Sequence, residues 1–438
     1  MIKYVLKRLG LSLIVLFGVS VIIYFLVRLM PTNYLETKFS SQIQQGTITM
    51  EQLDDFKKRY GLYMPEAFID VELSGESLGD VTFSKDTKEQ KYEDVTDKVI
   101  SYTEFYAGTY QGKSNKQMTL VLTDKGDYTL YEDEDMTKVA ASGSFTVTSD
   151  GQVSMGDSIG KIDFTYRQAG LGDKFGAVMS GYFSWLGNML KGDLGDSFLY
   201  QKPVSTVIAE HMWISFIISL VALVFQFAIA IPMGITSATH QYSFRDYSVT
   251  VITMIGISLP SFFFAALLIK LFSNLLGWFP ASGLVSGGSA AEGFAHILDM
   301  AHHLVLPMVV LVVLSIGGLM RYTRTNMLEV LNSDYIRTAR AKGLSEKSVI
   351  YRHAFRNTMI PLMTLLAGIL PSLFGGAMIT EEVFSIDGIG RLAYKALQQG
   401  DVPFIMGYNM FLAVLTVIGT LFSDLMYAVV DPRVKLSK

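Results

Sequence analysis

The residues best placed to do chemistry lie between Leu331 and Pro361, in the stretch LNSDYIRTARAKGLSEKSVIYRHAFRNTMIP. Their chemistry is recognition rather than bond-making. Arg321–Arg356 carries eight Lys/Arg against three acids, too much charge to sit in lipid, yet apolar segments flank it on both sides. Ser333 is placed to cap a helix running from Asp334 to about Lys342, and Gly343 to end it in a left-handed conformation. Ser345 then caps a second helix to about Arg356, with Asn357 and Pro361 marking the turn back into an apolar segment. A polar helix pair fixed between two membrane segments is the device a pump needs to receive a push from a cytosolic motor.

Other chemistry is thin. There is no cysteine, which excludes disulfides and thiolate catalysis. The six histidines are scattered, and the adjacent His302 and His303 cannot both face one ligand on a helix. The chain has no nucleophile elbow, no phosphate-binding GxxxxGK[ST] loop and no metal motif. No catalytic, cofactor-binding or metal-ligating residue is expected, and any ATP-driven motor must reside on another chain.

The elements that hold the charged stretch are apolar. Half of the 438 residues are hydrophobic, and six runs are long enough to cross ~30 Å of hydrocarbon. They fall near Leu9–Met30, Met212–Ser237, Val249–Leu276, His302–Met320, Thr358–Thr380 and Gly407–Val430. Lys3, Lys7 and Arg8 precede the first run, Arg433, Lys435 and Lys438 follow the last, and Gly277–Ala301 has no Lys or Arg. The positive-inside rule then puts both termini and Arg321–Arg356 in the cytoplasm of a multi-pass plasma-membrane protein. The first run ends in Leu-Met-Pro-Thr, without a small-x-small cleavage site, and reads as a retained span.

Residues 66–176 differ from their surroundings. They hold 21 Asp/Glu and 11 Lys/Arg, a net of −10, while the rest of the chain carries +6. Met118–Asp135 reads as two strands about a Lys-Gly-Asp turn, Ser142–Val147 and Gln152–Met155 as another pair about Ser-Asp-Gly, and Ile162–Tyr166 as a further strand. A small antiparallel β domain, sheet or barrel, is expected outside the membrane. Met50–Leu62 and Phe183–Phe198 read as amphipathic helices flanking it, able to rest on the membrane surface. The domains are then 1–65 (first span and outer amphipathic helix), 66–176 (the β domain) and 177–438 (spans two to six, with the cytoplasmic loop 321–357).

Several stretches resemble one family, the permease subunits of dipeptide/oligopeptide ABC importers, a group that includes nickel permeases. KYVLKRLGLSLIVLFGVSVIIYFLVRLMP is similar to the family's first span. KGDLGDSFLYQKPVSTVI (Lys191–Ile208) resembles its GDLG-x-S…PV segment, and Asp334–Pro361 its ATPase-docking loop. VFSIDGIGRLAYKAL (Val383–Leu397) resembles the loop before its last span, and Asp431-Pro432-Arg433 its usual close. Trp213 and Asp387 stand where the family usually has Pro. The acidic β domain looks inserted between YGLYMP (Tyr60–Pro65) and SGYFSWLG (Ser180–Gly187).

The resemblance implies an all-α polytopic protein of the type I ABC importer permease fold, with six transmembrane helices and an inserted extracytoplasmic β domain. It implies a bacterial permease subunit, not an enzyme, that forms half of a pathway for peptides. Its partners are a second homologous permease, two cytosolic ATPase subunits that hold ATP and Mg, an extracytoplasmic substrate-binding protein and the lipid bilayer; no nucleic acid is expected. Coupling would rest on Asp334, Tyr335, Ile336, Arg337, Thr338, Ala339, Arg340, Ala341, Lys342, Gly343 and Leu344. Gly317, Gly368, Pro371 and Gly375 are candidates for the translocation path. Nickel or another small solute is the alternative cargo, and a membrane sensor the alternative class. A sensor would want a cytosolic signalling domain; an ion-driven carrier would want paired mid-membrane carboxylates.

Overall fold

A computed structural model describes residues 2–28, 57–58, 62–75, 79–87, 102–113, 117–147, 153–155, 161–287 and 293–430. The expected helix over Met50–Leu62 lies mostly outside them. The chain forms two units, Ile48–Gly187 and Met1–Thr47 with Asn188–Lys438.

In the first unit the strands are β1 (Ala67–Gly75), β2 (Gly79–Thr87), β3 (Gly108–Gly112), β4 (Thr119–Leu122), β5 (Asp127–Tyr131), β6 (Val139–Val147), β7 (Val153–Met155) and β8 (Lys161–Gln168). They form one sheet in the order β7-β6-β5-β4-β3-β2-β1-β8, each neighbour antiparallel. The sheet curls until β7 and β8 lie side by side. Strand alternation sends Ile69, Val71, Leu73, Phe83, Leu120, Tyr128 and Leu130 inward, where they pack with Phe105 and Tyr110. The expected strand pairs about Lys-Gly-Asp and Ser-Asp-Gly are present; β1, β2 and β3 are additional.

The outer face is tied by charge. Asp70 accepts from Ser84 (2.6 Å), Lys113 (2.8 Å) and Arg167 (2.9 Å), joining β1, β2 and β8 to the chain after β3. Burial alone would raise the Asp70 carboxyl, but the hydrogen bonds from Lys113, Ser84 and Arg167 outweigh it and hold it below the ordinary 3.8. Asp86 is held low in the same way by Tyr63 and Lys58. A carboxylate lowered in the folded state contributes stability above its unfolded pKa and loses it as pH falls through its folded one. The sheet is therefore expected to loosen below about pH 4, read as faster amide exchange in β1, β2 and β8 of the full chain. Asp70→Asn should blunt that acid response; an unchanged response would remove Asp70 from it.

The helices, in chain order, are α1 (Ile2–Arg28), α2 (Tyr102–Tyr106), α3 (Leu171–Leu190), α4 (Val204–Thr239), α5 (Phe244–Ser258), α6 (Ser261–Leu268) and α7 (Phe294–Leu331). There follow α8 (Asp334–Ala341), α9 (Glu346–Ser348), α10 (Arg356–Ile369), α11 (Met378–Val383), α12 (Ile389–Gln399) and α13 (Val402–Val430). The helix expected at Phe183–Phe198 begins earlier, at Leu171, and ends at Leu190, where Gly192 takes φ +86°. The domain boundary expected at 176 thus falls inside α3.

Among the described residues, four helical stretches are long and apolar enough to span a bilayer: Arg8–Val27, Val204–Thr239, Phe294–Leu331 and Val402–Phe422. The expected span Val249–Leu276 is instead a bent pair, α5 and the helix from Ser261, set at 101°. Pro260 explains the break, since the residue before proline disfavours the helical region, and Leu259 is extended (ψ 129°). The expected span Thr358–Thr380 is divided at a 3-10 turn, Leu370–Leu373, that contains Pro371. Pro307, by contrast, lies inside α7 without interrupting it.

Glycines let α7 approach its neighbours. A Cβ on Gly234 of α4 would lie 2.7 Å from Thr323 Cβ, and one on Gly317 of α7 would lie 2.8 Å from the Thr253 carbonyl of α5. The α4, α5 and α7 helices therefore pack backbone to backbone as one block.

Candidate functional site

The charged stretch folds as a protruding helix pair at one end of that block. Ser333 is extended at the start of α8, but its hydroxyl donates to the Val330 carbonyl (2.5 Å) instead of capping α8. Gly343 has φ +74°. Its N–H donates to the Arg340 carbonyl (2.9 Å) and the Leu344 N–H to the Ala339 carbonyl (3.4 Å), the two bonds of a Schellman cap. Ser345 is extended before α9 and makes no side-chain cap.

The second helix does not stop near Arg356. From α9 it continues through a π-helical stretch, Val349–Phe355, into α10, so Asn357 and Pro361 lie within a helix rather than at a turn.

Burial divides the pair. Ile336, Ala339, Val349 and Ala354 are buried against Ile235 and Ala238 of α4 and Met327 of α7. These residues seat the pair on the helical block. Asp334, Tyr335, Arg337, Thr338, Arg340, Ala341, Lys342, Gly343 and Leu344 are exposed. Arg340 Nε meets Glu346 Oε1 at 2.8 Å across the glycine turn, and Asn357 donates to the Tyr335 hydroxyl at 2.9 Å. Arg340 is thus engaged within its own chain, and the two contacts tie α8 to the helix that follows it. The result is a rigid, cationic tip on a buried apolar base, able to transmit force into α4, α7 and α10.

Three buried carboxylates, which sequence reasoning passed over, lock the surrounding block. Asp246, on α5, accepts from the Ser237 hydroxyl of α4, from the Tyr242 N–H (3.0 Å) and from Arg324 of α7 (3.0 Å). The Ser243-x-x-Asp246 spacing at the start of α5 was the available signal. Asp401 accepts from the Ser197 hydroxyl (2.6 Å) and the Leu199 N–H (2.9 Å), pinning the GDLG segment to the start of α13.

Glu381 is 1% exposed. It accepts from the Ser215 hydroxyl (2.7 Å), the Ala377 N–H (2.9 Å) and the Arg391 N–H (2.9 Å). Gly388 gives it room, since a Cβ there would lie 2.5 Å from Glu381 Oε2. Ser215 and Ser237 stand roughly 30 Å apart along α4 at 1.5 Å per residue, so Glu381 and Asp246 hold that helix at two well-separated points.

The four path candidates are not brought to one lining. Gly317 packs against α5. Gly368 lies in α10 and Pro371 in the 3-10 turn, while the Gly375 carbonyl accepts from the Tyr408 hydroxyl of α13 (2.6 Å). Trp213 stacks edge-on with Phe216 and Phe374. Among the described residues no group of three His, Cys, Asp or Glu is placed to hold a metal.

Comparison with known proteins bears on these elements. The family described as binding-protein-dependent transport system inner membrane component matches residues 230–436. The oligopeptide transport system permease protein AppB of Bacillus subtilis is 42% identical over 255 residues, covering 58% of this chain and 79% of that protein. The dipeptide transport system permease protein DppB of Alkalihalophilus pseudofirmus is 35% identical over 268 residues, covering 58% of this chain and 80% of that one. Among solved structures, a chain of the MetNI methionine ABC transporter in an inward-facing conformation aligns with a TM-score of 0.40 at 15% identity, over 52% of this chain and 97% of that one.

Proposed function

The chain belongs to the family of binding-protein-dependent transport system inner membrane components, and from that premise we propose that it is the permease subunit of an ATP-driven ABC importer for peptides. It forms half of the pathway beside a second permease, receives peptides from an extracytoplasmic binding protein, and is driven by two cytosolic ATPase subunits that hold ATP and Mg. The observation that carries this reading is the helix pair, with its exposed cationic tip, Schellman-capped turn and buried seat on α4 and α7. ATP closure of the ATPases moves the pair, and the block α4–α5–α7 follows as a rigid body. Asp334–Leu344 forms the coupling contact, with Ile336 and Ala339 acting from beneath.

Six passages of the membrane follow if the bent pair α5–α6 and the divided segment 358–380 each cross once. Both termini and the helix pair then face the cytoplasm, and the β sheet faces outside. Single cysteines have no background in this chain. In intact cells an impermeant maleimide should label Ser142→Cys and spare Ser345→Cys; the reverse pattern would overturn the orientation. Affinity purification of the chain should bring down ATPase subunits, which a membrane sensor would not.

The sheet enters and leaves the chain at one point, with the Ala169 N–H donating to the Glu66 carbonyl (2.9 Å) and Ala67 registered on Gln168. That geometry supports an insertion. The net charge of −10 over 66–176 supports a role in steering the binding protein to the pathway mouth, which acts on encounter rate more than on affinity. Removing 67–168, with Glu66 joined to Ala169, should leave the complex assembled and slow binding-protein association mainly at low salt. An unchanged rate at every salt concentration would leave the sheet as a spacer.

A further inference from the structure

Between Val310 and Leu331 every exposed residue of α7 is polar or glycine: Ser315, Gly318, Arg321, Thr325 and Glu329. At 100° per residue, all but Arg321 fall with the half-buried Tyr322 within about 80° of arc. The midsections of the neighbouring helices show apolar residues instead, among them Val224, Phe225 and Ile229 on α4 and Ile252 and Ile255 on α5. Gly317 presses on α5, whereas a Cβ on Gly318 would meet nothing within 4 Å, so the strip is open. Its head lies beside a polar side chain of α4. Gln226 donates from Nε2 to the Leu311 carbonyl (3.3 Å), the carbonyl onto which Ser315 closes its helical turn. Thr323 and Thr325 turn their hydroxyls back onto the Leu319 and Arg321 carbonyls (2.9 and 3.0 Å). Ser315 does not, and among the described residues neither its hydroxyl nor the Gln226 carboxamide oxygen has a partner.

We propose that the strip headed by Gln226 and Ser315 lines the peptide's route through the inner half of the membrane and takes the peptide by its main chain. Lipid does not fit this face. A hydroxyl and an amide oxygen without partners are costly in hydrocarbon, and α4 and α5 show what this chain turns toward lipid. A peptide main chain does fit. It brings donors and acceptors together at every residue, and Gly318 leaves room for it to come close. From Ser315 to Gly318 the strip carries no charge, and Arg321 and Glu329 below it are opposite in sign. Such a lining does not sort cargo by side-chain charge. The strip is also continuous with the helix pair, since α7 ends at Leu331 and α8 opens at Asp334. A push on the pair therefore arrives on the helix that holds the cargo.

The inference rests on the peptide-import reading above, and its test separates the two. Single cysteines go into the full complex, otherwise free of cysteine, in lipid nanodiscs that leave both faces open to solution. Ser315→Cys and Gly318→Cys probe the strip; Val224→Cys and Ile255→Cys probe the apolar faces. A cationic, water-soluble methanethiosulfonate is added with and without ATP. In at least one of these conditions the strip cysteines should react several-fold faster than the apolar-face ones. Excess trialanine should slow that reaction several-fold, and fully N-methylated trialanine, which lacks the amide donors, should not. Strip cysteines as slow as Val224→Cys in both conditions, as lipid or a packed helix of the second permease would make them, would overturn the proposal. So would equal protection by both peptides, or protection by neither. Peptide uptake by the same complex in sealed vesicles reports on the import reading separately. ATP-dependent uptake beside an unreactive strip overturns the strip alone, and uptake that ignores ATP overturns the import reading.

Discussion

Gly343→Val is expected to abolish ATP-driven uptake while leaving the chain in the membrane. A Cβ at this position would meet nothing within 4 Å, so the change acts through the backbone alone. At φ +74° a side chain costs about 1–2 kcal/mol, and a β-branched one more, which shifts the helix pair out of its capped angle by roughly tenfold or more. Gly343→Asn is the informative control, because asparagine tolerates the left-handed region, and it should keep most of the uptake. Equal loss in both variants would point to something other than the turn. Normal uptake by Gly343→Val would remove the turn from the mechanism.

The second large effect is on stability. Glu381→Ala would strand the Ser215 hydroxyl and the N–H groups of Ala377 and Arg391 in a buried niche. Unpaired buried groups of this kind cost about 1–3 kcal/mol each, so a loss on the order of 3 kcal/mol is expected, seen as a lower unfolding midpoint in detergent and poor assembly. Glu381→Gln keeps the acceptor for Ser215 but turns an amide donor toward the Arg391 N–H, and should fall between the two. An unchanged midpoint for Glu381→Ala would contradict the pinning role.

What the sequence made legible was local. The Gly343 turn could be placed because a left-handed cap is written in one residue type, and the Lys-Gly-Asp hairpin because strand alternation flanks a glycine that takes φ +87°. The β1 and β2 strands were hidden because their outward positions hold Asp70, Glu72 and Asp86, which read as loop charge until their partners are known. Apolar run length marked membrane segments but carries no direction; Pro260 and Pro371 are the residue type that interrupts a span, while the 101° angle at Pro260 is set only by the fold. Glu381 looked like one acid among several; its partner Ser215 is 166 positions away, and only folding brings the two together. The amphipathic pattern near Phe183 was visible, but the helix's start at Leu171 was not.

The central claim is that this chain passes peptide when cytosolic ATP drives its helix pair. The most direct test places the purified complex in sealed vesicles, with binding protein and labelled peptide outside and ATP inside. The account predicts peptide accumulation that needs ATP, is lost in Gly343→Val, and does not depend on an imposed ion gradient. Accumulation that follows an ion gradient and ignores ATP would contradict it.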